Sequence, residues 1–321
     1  MGASHIDSMT STTTDCRMWV DDPAGFSTRK VGRLHHDYHQ HPLFQLPELE
    51  ALAQELAPLN QCRFVRPGIT QASAFAHGNQ PPDGRSLEEV FRRIEEPGSW
   101  IALYDVEVIP RYKALLEHVL GNVRHIIERE QGKMFLVTGF IFISAPPSVT
   151  PFHIDRENNF WLMLHGQKVM NVWDHTDRTV VSIDAVEDYI VAHNAFKVRL
   201  KDEFRVRSHE IETRSGDGIY FPSTSPHMTR SDPAWTMHGD RVAISVGVNF
   251  YTEHTRRTAR VYQVNRVMRR LGLSPKTPGE SGLSDALKAP LGKVFGMARA
   301  AKQRAAAKSS NRTYEPPPGS Y

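Results

Sequence analysis

The chain has 321 residues, 40% hydrophobic and 23% charged, the profile of an average soluble protein with enough apolar mass for one large domain with appendages or two small ones. Two cysteines at no paired spacing, Cys16 and Cys62, exclude a disulfide scaffold and make a reducing cytoplasm the expected location. The net charge of +3 conceals an asymmetry: residues 255–321 hold 14 Lys and Arg against 3 Asp and Glu, +11, while residues 1–254 hold the other 25 and 33, −8.

The first twenty residues are polar and lack the apolar core of a signal peptide. The opening MGASHIDS reads as an expression remnant with Met9 as a candidate start, and 1–30 as a disordered or tag-like N-terminus. The run LHHDYHQHP (34–42) places His35, His36, His39 and His41 together without a neighbouring cysteine, and reads as surface or tag-like rather than as a zinc site. PELEALAQELAPL (47–59) has helical spacing with Pro47 in the first turn. Residues 66–84, rich in Gly, Pro, Asn and Gln, read as an irregular loop. SLEEVFRRIEEPG predicts a helix capped by Ser86, with Glu89 three positions on and a stop at Pro97–Gly98. WIALYDVEV (100–108) predicts a strand, and residues 111–130 a helix, with apolar positions at 115, 116, 119, 120, 123, 126 and 127. Residues 31–132 are thus expected as a helical and mixed N-terminal part packing on a barrel formed by the residues after Gly132.

After Gly132 the texture changes. Short β-branched and aromatic runs, FLVTGFIFIS, NFWLMLHG, KVMNVWD, DGIYFP and VAISVGVNFY, are separated by turn residues and predict an antiparallel sandwich or barrel over 133–254. The fold class is α+β with a mainly β core. Residues 175–208 are expected to be partly helical. FLVTGFIFI (135–143) is too short to cross a bilayer, so no membrane partner is expected. Residues 255–308 form a basic helical extension, with Val261, Val264, Met268 and Leu271 on one face, a break at 275–283 and a second helix near 284–307; 309–321 read as a disordered tail. That extension suits a packing or homodimerisation helix better than a nucleic-acid-binding arm, because the acidic body offers it a docking surface. Trp161 and Trp173 read as core, Gly216 and Gly218 as turn formers, and Trp235 as a residue that could line a substrate mouth.

The chemistry concentrates at TPFHIDRENNFWLMLHGQK (150–168). In His153-x-Asp155 the two side chains fall on one side of an extended strand, so a single ion can take both. A distant third histidine completes a facial set of two imidazoles and a carboxylate, which suits iron(II) and leaves positions open. The dipeptide spacing alone selects nothing, since His5–Asp7, His35–Asp37, His175–Asp177 and His238–Asp240 repeat it. Only His153–Asp155 lies between β-rich runs, and only it is followed, 74 positions on, by a turn and strand, SGDGIYFPSTSPH, that could return His227 to face it. The competing reading of each of these residues is an ordinary hydrogen-bonded strand side chain.

Residues 134–252 resemble the JmjC-like, cupin-fold oxygenases that use iron(II) and 2-oxoglutarate, with an active-site shell similar to that of the asparaginyl hydroxylase acting on hypoxia-inducible factor. The resemblance rests on TPFHID, on Lys168 fifteen positions after His153, on Asn159-Phe160 and on VNFY at 248–251. It implies a double-stranded β-helix (cupin or jelly roll), with iron(II) on His153, Asp155 and His227. It implies that the remote carboxylate of 2-oxoglutarate meets Lys168 and Thr150, and that Asn159 and Asn249 lie near the metal and the other carboxylate. The implied activity is O2-dependent hydroxylation of a protein side chain or small metabolite, releasing succinate and CO2. Two other classes stand beside it: a cupin-fold binding or regulatory protein with little turnover, contacting nucleic acid through its basic tail, and a zinc or manganese isomerase. Lys168 and Thr150 argue against the isomerase, which needs no acid cosubstrate.

Overall fold

Apolar alternation and helical period are realised along the chain in a computed structural model that describes residues 16–65, 68–74, 77–232, 234 and 241–310. Strand β1 (Met18–Trp19) pairs with β2 (Gly32–His36). Helix α1 (Leu46–Leu56) carries Pro47 in its first turn and buries Leu49, Leu52, Ala53 and Leu56. Strands β3 (Cys62–Val65) and β4 (His77–Gly78) come next. Helix α2 (Leu87–Arg92) starts at Ser86, whose hydroxyl accepts from the Glu89 N–H at 3.2 Å. Then come β5 (Trp100–Leu103), α3 (Pro110–Gly121) and α4 (Arg124–Gln131). The β-rich part contains β6 (Met134–Ser144), β7 (Ser148–His153), β8 (Asn158–His165), β9 (Gln167–Val172), helix α5 (Ile183–Ala192), β10 (His209–Arg214), β11 (Asp217–Phe221), β12 (His227–Ser231) and β13 (Ala243–Thr252). Helices α6 (Glu253–Arg270) and α7 (Gly282–Ser310) complete the fold.

The architecture is mixed α/β with two antiparallel sheets. One has nine strands in the order β1-β2-β11-β8-β13-β6-β5-β3-β4; the other has four, β10-β9-β12-β7. Parity along β8 assigns the layers. Phe160, Leu162 and Leu164 join a cluster with Leu52, Tyr112, Leu116 and Ile127 from α1, α3 and α4. Trp161 and Met163, offset by one, pack against Met170, Val172 and Ile211 of the four-stranded sheet. The two sheets therefore face one another, and β8, buried on both sides, reads as a nearly continuous apolar run. Helices α5 and α6 cover the outer face of the smaller sheet, where Trp173 is enclosed with Phe152, Val186 and Tyr262. Trp161 and Trp173 are core residues, as expected.

Several expectations are corrected. Residues 16–30 are held rather than disordered: the Glu130 carboxylate accepts from the Thr28 N–H (2.7 Å), the Thr28 hydroxyl (2.8 Å) and the Ser27 hydroxyl (3.0 Å). Residues 1–15 and 311–321 lie outside the described residues. The histidine run is no surface tag, because His36 and His41 are buried. His36 Nε2 meets the Asp217 carbonyl at 3.1 Å, and His41 Nδ1 accepts from the Leu43 N–H at 3.2 Å, capping a turn. The strand expected over 100–108 ends at Leu103, and Asp105 adopts a left-handed φ of 50°. The helix expected over 111–130 breaks after Gly121. There the Asn122 side chain is recruited elsewhere, accepting from the Met18 N–H (3.1 Å) and donating to the Tyr38 hydroxyl (3.1 Å). Helix α6 packs on the body: the Thr252–Thr255 capping box starts it directly from β13, and it buries Val261 and Val264 of the expected apolar face, though Leu271 is exposed.

Candidate functional site

The two sheets bring together residues far apart in sequence. His153 ends β7 and His227 begins β12, and the two are register partners with ring centroids 4.0 Å apart. Ile154 turns into the apolar layer under α5 and α6, so Asp155 returns to the side of His153. His227 Nε2 lies 3.5 Å from one Asp155 carboxylate oxygen, and His153 Nε2 lies 4.0 Å from the other. The ligand atoms of the three residues all fall within 4.8 Å of one another, the one such group among the described residues. Of the other His-x-Asp pairs, His35–Asp37 and His175–Asp177 join no such cluster; His5–Asp7 and His238–Asp240 lie outside the described residues, as does Trp235.

Hydrogen bonds behind the rings set their tautomers. His153 Nδ1 is 2.7 Å from the Pro151 carbonyl and His227 Nδ1 is 3.0 Å from the Ser225 carbonyl. A carbonyl only accepts, so each Nδ1 carries the proton and each Nε2 presents a lone pair towards Asp155. Burial and then the adjacent His153 push His227 down to about 4, with Asp155 opposing, so the imidazole is neutral near pH 7. The Thr224 N–H donates to the Asp155 carbonyl at 2.8 Å, tying the loop before His227 to the carboxylate's own turn.

Lys168 lies on β9 opposite Thr213 of β10 and is 2% exposed. Burial pushes its ammonium down to about 8. No hydrogen-bond or ion-pair partner reaches its Nζ among the described residues; Arg85, Lys197 and Arg266, by contrast, all have carboxylates. Lys168 shares the inward face of the small sheet with Met170 and Val172, and Val172 is the register partner of His227. Four residues of strand, about 13 Å, separate the Lys168 and Val172 backbones, a gap that a lysine stem and a five-carbon diacid together can fill. Thr150 is buried on the same face, level with Thr229 and Met170.

The large sheet contributes the opposite wall. Asn159 and Asn249 are register partners on β8 and β13, both buried, and each has an amide oxygen without a partner. The Ser245 hydroxyl nearby is also unpaired. Gly247 keeps the space open: a Cβ there would meet the Asn249 and Asn159 oxygens at 3.3 and 3.4 Å. Phe221, the register partner of Asn159, packs on the His227 ring at 4.5 Å. Sequence reasoning missed Tyr104 and Tyr189, whose hydroxyls are pushed up by burial and then by the charge of Asp155, and Glu157, raised by burial and accepting from the Tyr251 hydroxyl at 2.5 Å. Nothing in the sequence marks the two tyrosines, since only folding brings them to Asp155.

The His-Asp-His cluster and the buried Lys168 lie on the side of the small sheet that faces the partly unsatisfied amides of the large one. No protein-family model and no curated protein matches the chain. Among solved structures it is similar to Escherichia coli YcfD (15% identity, TM-score 0.44, covering 85% of this chain and 66% of that one). It is likewise similar to YcfD described as a ribosomal oxygenase in complex with cobalt and 2-oxoglutarate (14%, 0.44, 88% and 68%), and in complex with cobalt and succinic acid (16%, 0.37, 76% and 58%). The chain spans about three fifths to two thirds of the length of these proteins. Its own site residues, not this distant likeness, carry the functional reading.

Proposed function

We propose that the protein is a JmjC-like, iron(II)- and 2-oxoglutarate-dependent dioxygenase on a double-stranded β-helix, hydroxylating a protein side chain or a small metabolite. One observation carries the reading: a buried ammonium, Lys168, has no counter-charge among the described residues and shares a sheet face with a His-Asp-His cluster. A buried unpaired cation is costly unless a ligand supplies the anion, and a dicarboxylate would do so while its other end reaches the metal ligands.

The donor set fits the metal. His153 and His227 offer neutral Nε2 atoms and Asp155 a carboxylate, a borderline-to-hard combination suited to iron(II). Bound iron(II) would supply the redox chemistry, in which O2 oxidatively decarboxylates 2-oxoglutarate to succinate and CO2 and one oxygen atom enters a substrate C–H bond. The chain's own residues would do the rest. Pro151 and Ser225 carbonyls hold the two imidazole tautomers. Lys168 and the Thr150 hydroxyl would clamp the remote carboxylate with charge-assisted bonds. The Asn159 and Asn249 side chains would orient the carboxylate nearer the metal by donating from Nδ2. Trp161, Met170 and Phe221 line the same inter-sheet space with apolar surface and would limit water.

The test is turnover of 2-oxoglutarate to succinate by the iron(II)-loaded protein, with His153→Ala, Asp155→Ala and His227→Ala each abolishing it; undiminished turnover in any of the three would overturn the assignment. We also propose a homodimer through the C-terminal helices, supported by exposed Leu283, Leu287, Leu291 and Val294 along α7, with light scattering as the check. Both cysteines are free, which suits a reducing cytoplasm. No helix among the described residues is long and apolar enough to cross a membrane.

A further inference from the structure

A cavity of about 690 Å³ lies beside the metal-ligand segment without containing it: Arg156 and Asn158 line it, while His153, Asp155, His227 and Lys168 do not. Its walls come from the turn at 28–29, the 175–178 loop, the 222–224 loop before His227, the first turns of α6 and the connection into α7. Five arginines line it, Arg29, Arg156, Arg178, Arg256 and Arg257, against two carboxylates, Glu280 and Asp285. Both carboxylates are turned into their own loop, Glu280 accepting from the Thr277 N–H at 2.9 Å and Asp285 from the Gly279 N–H at 2.7 Å.

A basic helix face in water would be the ordinary account of such arginines. It fails here because they converge from four separate stretches of chain onto one concave wall. His254, on that wall, is pushed down by burial and then by the charges of Arg29, His175 and Arg257, so these groups feel one another. Arg178 has Nη2 3.5 Å from the Tyr262 hydroxyl, with no carboxylate partner among the described residues, while Arg256 lies over the Phe135 ring at 4.6 Å and 3.8 Å from the Glu253 carboxylate. Like charges held in a hollow repel unless an anion joins them.

Guanidinium forks match phosphate oxygens in pairs, and the volume falls within the roughly 300–1,000 Å³ typical of metabolite pockets. The hydroxyl residues Thr224 and Thr258 share the wall. We propose that this cavity binds a small phosphorylated metabolite, a phosphate ester or anhydride with at least two negative charges, at a site separate from the metal cluster. A nucleic-acid track would instead be an open groove along a backbone. The occupant would touch Arg156, whose chain neighbour is Asp155.

Isothermal titration of the full chain with inorganic pyrophosphate at low ionic strength, needing neither metal nor 2-oxoglutarate, tests this independently of the oxygenase reading. Saturable binding is expected, weakened about tenfold or more in Arg178→Gln/Arg257→Gln because two paired charge-assisted contacts go. Glu280→Gln should tighten it, since glutamine can still accept from Thr277 while the repelling charge is gone. Arg257 is exposed, so Arg257→Gln alone serves if the double variant misfolds. Absent binding, or binding unchanged in the arginine variants, overturns the proposal. So does a single-stranded RNA that binds and is not displaced by pyrophosphate.

Discussion

Lys168→Met separates a lysine kept for a ligand from one kept for the fold. An ordinary lysine titrates near 10.5, and burial brings this one to about 8. That difference corresponds to about 3 kcal/mol opposing the charged form in the folded, ligand-free protein. Below about pH 8 both folded and unfolded chains hold the proton, and the full penalty applies. Between about 8 and 10.5 the unfolded chain binds more protons, so wild-type stability rises with pH, and above 10.5 the penalty is gone. Methionine keeps most of the stem's volume without the charge. The ligand-free variant should therefore be more stable than wild type at pH 7, by up to about 3 kcal/mol, with the gain shrinking to nothing near pH 10.5. Adding 2-oxoglutarate with a redox-inert divalent metal should reverse the order. Wild type gains about 4.1 kcal/mol at a thousandfold excess over its Kd, more than the penalty of about 3 kcal/mol, whereas the variant gains little. Urea unfolding at pH 7 and pH 10, with and without the diacid, measures all four quantities. A variant less stable than wild type at pH 7, or one stabilised equally by 2-oxoglutarate, would refute the reasoning.

Gly247→Val should place carbon against the Asn159 and Asn249 amides and raise the KM for 2-oxoglutarate at least about tenfold, which steady-state succinate formation reads; an unchanged KM would remove both amides from the cosubstrate site. Glu130→Gln should weaken three hydrogen bonds to 27–28 and expose the segment 16–30, so limited proteolysis should cut there before the sheets unfold. Ser86→Ala should cost about 1 kcal/mol in chemical denaturation through its lost cap, with no effect on turnover. Leu287→Glu/Leu291→Glu should leave a monomer in light scattering if α7 forms the dimer contact.

The β-rich half was legible because both faces of its central strands are buried, so NFWLMLH and AISVGVNFY carry their position in composition alone. The His153–Asp155–His227 cluster was legible for a different reason: Asp155 comes after His153 at the strand period, and context favoured this His-x-Asp pair over the others. What stayed hidden depends on contacts no local pattern encodes. Asn122 ends α3 because its amide is drawn to Met18 and Tyr38. His36 and His41 look like a tag in a polar run, yet His36 ends β2, which pairs with β11, and His41 caps the turn at 42–44, and both are buried. The five cavity arginines are scattered from position 29 to position 257, and those at 256 and 257 alone suggest a basic helix.

The two sheets divide the proposed chemistry in a way that explains its tolerance of so few partners. The small sheet holds every charge, with the metal ligands where β7 meets β12 and the ammonium two side-chain repeats along β9. The large sheet opposes them with neutral amides and a glycine. Charges on one rigid face keep their spacing when the sheets breathe against one another, which matters when one diacid must span both ends. Neutral amides on the other wall can adapt to that ligand without a second buried charge to neutralise. The uncompensated Lys168 ammonium is then no defect: it leaves the interior incomplete for an anionic occupant, to which the Nδ2 groups of Asn159 and Asn249 on the other wall can also donate.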